Sequence, residues 1–243
     1  MPVYNAGTAL LSRIRELFSC KSPSVATAFA VTLITFAALP VTSHAFTELT
    51  LAQKLIYDRS HLANTEQGEN LVYRYSSKSQ AEPEKIDEVL LRINQVHADD
   101  KRDVVLDFLT GEHKMAFPDF KQFRGNPVII AMMEHVAQKI GRETGGGVLY
   151  FRNRIRDALA AEAVQVTDEE ITWNDKQIKA TLLAFSPFIQ DTYLAERPEY
   201  RHAKISINLS EEVPGDVVGI SVDSRNDGIF YFRHDIKLNA PGT

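Results

Sequence analysis

Between residues 126 and 143, Ile129, Met132, Met133, Val136 and Ile140 recur at helical spacing, and Glu134, Gln138 and Arg142 fall on the opposite side. His135, Lys139 and Glu143 lie beside that polar face. Asn126-Pro127 supplies a helix start. Asn accepts a hydrogen bond from an unpaired backbone N–H, and Pro at the first helical position sacrifices no donor. Gly145 supplies the stop, because a left-handed residue costs Gly little. The next stretch alternates well enough at Arg152, Arg154 and Arg156 to pass for a strand. Phe151, Ile155, Ala158 and Leu159 also fit a helix, and the Ala-rich residues 157–163 tip the reading towards helix. Residues 117–163 are therefore expected to hold a helical hairpin, broken at Gly145-Gly146-Gly147, around which the rest of the chain packs.

Strand-like segments flank this hairpin. Residues 71–76, 86–96 and 101–109 precede it, after a short helix within 47–60 that carries Leu49, Ala52, Leu55 and Ile56. Phe117-Pro118-Asp119-Phe120 reads as an extended approach. Beyond the hairpin come 171–173, 177–183, 203–209, 217–222 and 229–238, with turn signals at Asn174-Asp175-Lys176, Val213-Pro214-Gly215-Asp216 and Asn226-Asp227-Gly228. Residues 186–200, with Pro187 and Pro198, read as irregular. The expected fold is α+β: a curved antiparallel sheet of about eight strands, a partial barrel, packed around a central helical hairpin inserted after the third strand.

The first 45 residues read as a segment apart. Arg13, Arg15 and Lys21 lead into an apolar run over 25–39, followed by Pro40 and a small-residue end at Ser43-His44-Ala45. That is the pattern of a cleaved secretory signal peptide, leaving Phe46 first in a mature domain over 46–243. The alternative is an uncleaved anchor, since the uncharged stretch 22–44 is long enough to span a bilayer. Cleavage would leave no stable membrane span and would remove Cys20, the only cysteine, so a mature chain would form no disulfide and offer no thiol. It would also take away three basic residues and one acidic residue, moving the formal charge from −5 to −7. A net negative domain is a poor partner for nucleic acid or anionic lipid surfaces. The expected location is periplasmic or secreted.

The sequence carries none of the familiar catalytic signatures. It lacks G-x-S-x-G, H-E-x-x-H and a dinucleotide fingerprint, and Val148 stands where a phosphate loop would need its lysine. No two histidines share the spacing of paired metal ligands on one helix face. Asp223-Ser224-Arg225-Asn226-Asp227-Gly228 starts like a calcium loop, but Arg225 occupies a ligand position and no closing Glu follows. No cofactor and no metal are expected. Two other concentrations suggest binding. Arg152 and Arg156, one helical turn apart, carry forks suited to an anionic head group; Phe117, Phe120 and Phe151 are candidate walls for an apolar tail nearby. The leading expectation is an exported, non-catalytic protein that binds an apolar or anionic amphiphilic small molecule. The first alternative is an envelope assembly factor with a protein partner, using sheet edges or residues 186–200. The second is a hydrolase whose site is assembled from scattered His and Asp/Glu.

Overall fold

The structure, a computed structural model, describes residues 48–161 and 163–240. The segment assigned to a signal peptide falls outside the described residues. Four strands come first: β1 (Asn70–Ser79), β2 (Lys85–Val96), β3 (Arg102–Phe108) and β4 (Phe120–Phe123). Two helices follow, α2 (Pro127–Thr144) and α3 (Val148–Ala160), with a short α1 (Leu51–Gln53) ahead of β1. Then come β5 (Gln165–Trp173), β6 (Lys176–Phe185), a one-turn α4 (Pro198–Arg201), β7 (Ala203–Leu209), β8 (Val217–Asn226) and β9 (Ile229–Leu238).

The nine strands form one antiparallel sheet in the order β4-β3-β2-β1-β9-β8-β7-β6-β5. Every neighbour is consecutive in the chain except β1 and β9, whose pairing joins two meanders along the middle of the sheet. The helical hairpin runs from one edge strand, β4, to the other, β5. The sheet does not close. Its curvature is served by register shifts in the β2–β3, β3–β4, β7–β8 and β8–β9 pairs, because an extra residue bends a strand and raises its twist. Three hairpins turn on residues with positive φ, at Asn174-Asp175, Asp227-Gly228 and Asp99-Asp100. The calcium-like stretch is the second of these turns together with the end of β8.

The concave face takes the hairpin. Val128, Ile129, Met132, Val136, Ala137 and Ile140 of α2 are buried against inward residues of the strands, among them Tyr73, Leu91, Phe108, Ile207, Ile220 and Ile236. Met133, expected in the same stripe, is only half-buried. Asn126 caps α2 as its side-chain oxygen accepts from Val128 N at 3.0 Å. The same amide donates to Tyr73 Oη at 2.9 Å and to the Gly215 carbonyl at 2.8 Å. The helix start is thereby tied both to β1 and to the turn before β8. Gly145 ends α2 with φ 75°, and a Cβ on Gly146 would stand 2.8 Å from the Phe151 ring, so the turn must be this lean for α3 to fold back.

The stretch from Arg152 to Arg156 is therefore helical. A ninth strand, β4, was not expected, and the hairpin is inserted after the fourth strand. Among the described residues no helix is long and apolar enough to cross a membrane.

Candidate functional site

A cavity of about 930 Å³ opens between α2, the β1–β2 turn and the segment that joins β3 to β4. One wall is apolar: Leu109, Met115 and Phe117 from the β3–β4 segment, with Ile130 from α2 and Ile86 from β2. The other wall is the polar side of α2, with Glu134, His135, Gln138, Lys139 and Arg142. The amphipathic pattern of α2 thus does two jobs. Its apolar stripe fills the concave sheet, and its polar face lines a recess at one end of it.

Most of the charges around the recess are already matched. Arg152 reaches across from α3 and grips Glu134 through both carboxylate oxygens, one contact being 2.7 Å. Gln138 donates to the same carboxylate at 2.6 Å. Burial pushes the Glu134 carboxyl up, but these donors and the guanidinium charge outweigh it and hold it below its ordinary value. Lys139 pairs with Glu143 at 2.5 Å, and Glu143 also accepts from the Tyr200 hydroxyl. Lys85 pairs with Glu82 at 3.0 Å, and Lys114 with Asp107 at 2.9 Å. Arg142, in the last turn of α2, has no hydrogen bond and no ion pair among the described residues.

At the inner end lies a chain of three side chains from three elements. Tyr75 of β1 sits with its hydroxyl 2.6 Å from Nδ1 of His234 on β9 and 3.1 Å from Nε2 of His135 on α2. Phe108 and Phe232 flank the two imidazoles, with ring centroids 5.8 Å from His135 and 5.5 Å from His234. Burial lowers His135 to about 4, helped by the charges of Arg142 and Lys139. It lowers His234 to about 3, helped by His135 and Lys139. The Tyr75 phenol is pushed up to about 12, again mainly by burial. All three groups are neutral at neutral pH, because a charge here would be stripped of water without gaining a counter-ion. His135 and His234 bond to a tyrosine rather than to a carboxylate.

Of the five residues singled out from sequence, Arg152 and Phe117 line this cavity. Arg156 is exposed and lies 3.4 Å from Asp157. Phe120 packs on Phe123, at 5.3 Å between centroids, on the edge strand. Phe151 is fully buried in the core, edge-on to Tyr150, Phe188 and Tyr193. The anticipated apolar space between sheet and helices is filled by such rings, and the open volume lies at the polar flank of α2 instead. Arg154 is an anchor. It stands 3.1 Å from Asp191, whose carboxylate also accepts from Tyr150 and from the backbone of Tyr193 and Leu194. His135 and His234 were not singled out as site residues. The signal for His234 was its place in the inward series Phe232, His234, Ile236 and Leu238 of β9.

A scan against protein-family models found no match, and no curated protein matches the sequence. Among solved structures, the lipoprotein LppX of Mycobacterium tuberculosis is similar over 76% of this chain and 93% of its own, at 8% identity and a TM-score of 0.30. A LolA superfamily protein from Nitrosomonas europaea is similar over 78% of this chain and 91% of its own, at 8% identity and a TM-score of 0.21. Likenesses this distant carry no argument about function.

Proposed function

We propose that this protein is an exported binding protein that holds an anionic amphiphile in the cavity beside α2. The observation that carries the reading is the pairing of an apolar wall with a guanidinium that makes no hydrogen bond or ion pair among the described residues. Leu109, Met115, Phe117 and Ile130 offer a surface to a hydrocarbon tail, and the exposed Arg142, whose charge acts on Glu143, offers a cation to a head group. The volume, about 930 Å³, lies in the range of small-molecule sites. Arg152 lines the same cavity with its guanidinium committed to Glu134. Arg156, Phe120 and Phe151 have no part in this site.

Binding of a long-chain fatty acid, followed by native mass spectrometry and displacement of a fluorescent analogue, tests the reading. Arg142→Gln should weaken binding roughly ten- to a hundredfold, the usual effect of losing a charge-assisted contact. Arg156→Gln should leave it unchanged. Equal affinities for the native protein and Arg142→Gln would remove the head-group assignment. Export rests on the N-terminal pattern, and N-terminal sequencing of the secreted or periplasmic fraction should find Phe46 first. A chain that begins before residue 25 and sediments with membranes would replace the cleaved signal with an anchor.

A further inference from the structure

β5 is the last strand of an unclosed sheet, and its outer side pairs with no strand among the described residues. It runs along β6 over its full length with no register shift, from Gln165↔Ala184 to Trp173↔Lys176. The other edge, β4, is four residues long, with Gln122 at φ 49° and a register shift against β3. Of the two edges, β5 is the one long and regular enough to template a further strand.

The turn after β5 fixes which of its backbone groups are free. Asn174-Asp175 is a two-residue turn, so Trp173 and Lys176 are the closing pair and exchange N–H and C=O. Counting back by twos, Ile171, Glu169, Thr167 and Gln165 turn their backbone to β6. Thr172, Glu170, Asp168 and Val166 turn theirs outwards. Lys179, opposite Glu170, agrees with this count. Its N–H donates to Glu212 at 2.8 Å and its carbonyl accepts from Ser210 Oγ at 2.6 Å, so neither group is turned to β5. Among the described residues nothing hydrogen-bonds to the outward groups of β5.

Charge narrows what can bind there. Asp168, Glu169 and Glu170 make no ion pair among the described residues, and with Glu211 and Glu212 they line a recess of about 610 Å³. The cations of that recess are Lys179 and Arg59, and Arg59 is committed to Asp216 at 2.8 Å and Glu211 at 3.2 Å. Asp168 and Glu170 are exposed and share one face of the strand. Like charges directly opposite are unfavourable, so a second β5 is a poor match for this edge.

We propose that β5 is a docking edge for a partner protein, which adds an extended cationic segment as an antiparallel strand. Lysines or arginines at alternate positions of that segment lie opposite Asp168 and Glu170, and backbone hydrogen bonds to the four outward residues hold it in place. Acidic side chains that discourage indiscriminate edge pairing thus leave one kind of strand acceptable. This edge shares no residue with the cavity beside α2, so it does not depend on what that cavity holds.

A fluorescent peptide as long as β5, alternating Lys and Val, titrated against the full chain, tests this by anisotropy and by amide exchange in NMR. The peptide should bind and protect the amides of Val166, Asp168, Glu170 and Thr172. A peptide with Glu in place of Lys, or one N-methylated at each Lys, should bind about tenfold more weakly or worse. Asp168→Lys/Glu170→Lys should reverse the preference between the Lys and Glu peptides, and both replaced side chains are exposed, so the fold is retained. No binding of the Lys peptide at millimolar concentration overturns the proposal. Protection confined to other strands overturns it too. So does equal binding of the N-methylated peptide, the sign of a contact made by charge alone.

Discussion

His61, His135 and His234 are all held neutral by burial, at about 4, about 4 and about 3. In the unfolded chain each would accept a proton near pH 6.5. Below that pH the unfolded state binds protons that the native state refuses, so stability is full above about pH 6.5 and is lost as the pH falls towards 4. Asp216 works the other way. Burial raises it to about 6 against the pull of Arg59, so its protonation adds some stability as the pH falls below 6. Three histidines outweigh one aspartate, and a net loss on the order of a few kcal/mol is expected between pH 7.5 and pH 5. Thermal unfolding at the two pH values checks it. The midpoint should be lower at pH 5, with a smaller drop in His234→Phe. An equal or higher midpoint at pH 5 would contradict the burial of these rings. That these histidines are buried was only partly legible. His234 stands in phase with β9's apolar residues, but a lone histidine in such a series gives no hint of a tyrosine 159 positions away.

At the scale of elements, α2 was readable because capping and periodicity agreed, whereas α3, with no side-chain cap and arginines spaced as in a strand, was tipped to helix by its Ala-rich end. Asn126, Pro127 and Gly145 mark the ends of α2 where its apolar stripe begins and stops. Two strands were misread for the opposite reason. β4 is four residues long and contains Gln122 at φ 49°, too short and too distorted to alternate. β5 begins at Gln165 rather than near Ile171, because Asp168-Glu169-Glu170 reads as an exposed approach to the strand rather than as part of it. Such charge is tolerated there because β5 is an edge strand, where acidic side chains also discourage pairing with other chains. The hairpin gives a direct test of which α3 side chains carry stability. Phe151→Ala should cost about 3–5 kcal/mol, as a fully buried ring is replaced by a cavity. Arg156→Gln should cost under about 0.5 kcal/mol. Denaturant midpoints compare the two, and similar losses would mean that α3 is turned differently against the core.

Over the whole molecule, the decisive feature is the β1–β9 pairing, which closes two meanders into one sheet and brings Tyr75 beside His234. Periodicity shows which face of a strand is apolar, but it does not show which strand lies next to it. Curvature, helix content and the central hairpin were therefore legible, and the location of the cavity was not. Its walls come from β1, β2, β9, the β3–β4 segment, α2 and α3, and only the assembled sheet brings them to one place.

The central claim is that an amphiphile's tail lies along the apolar wall of this cavity. Photo-crosslinking with a diazirine-bearing fatty acid, followed by peptide mass spectrometry, tests it most directly. Adducts are expected on Met115, Phe117 and Ile130, and an excess of unlabelled fatty acid should suppress them. Adducts confined to the exposed apolar side chains ahead of β1, Leu51 and Tyr57, or to the β5 edge, or labelling that competitor does not reduce, would contradict it.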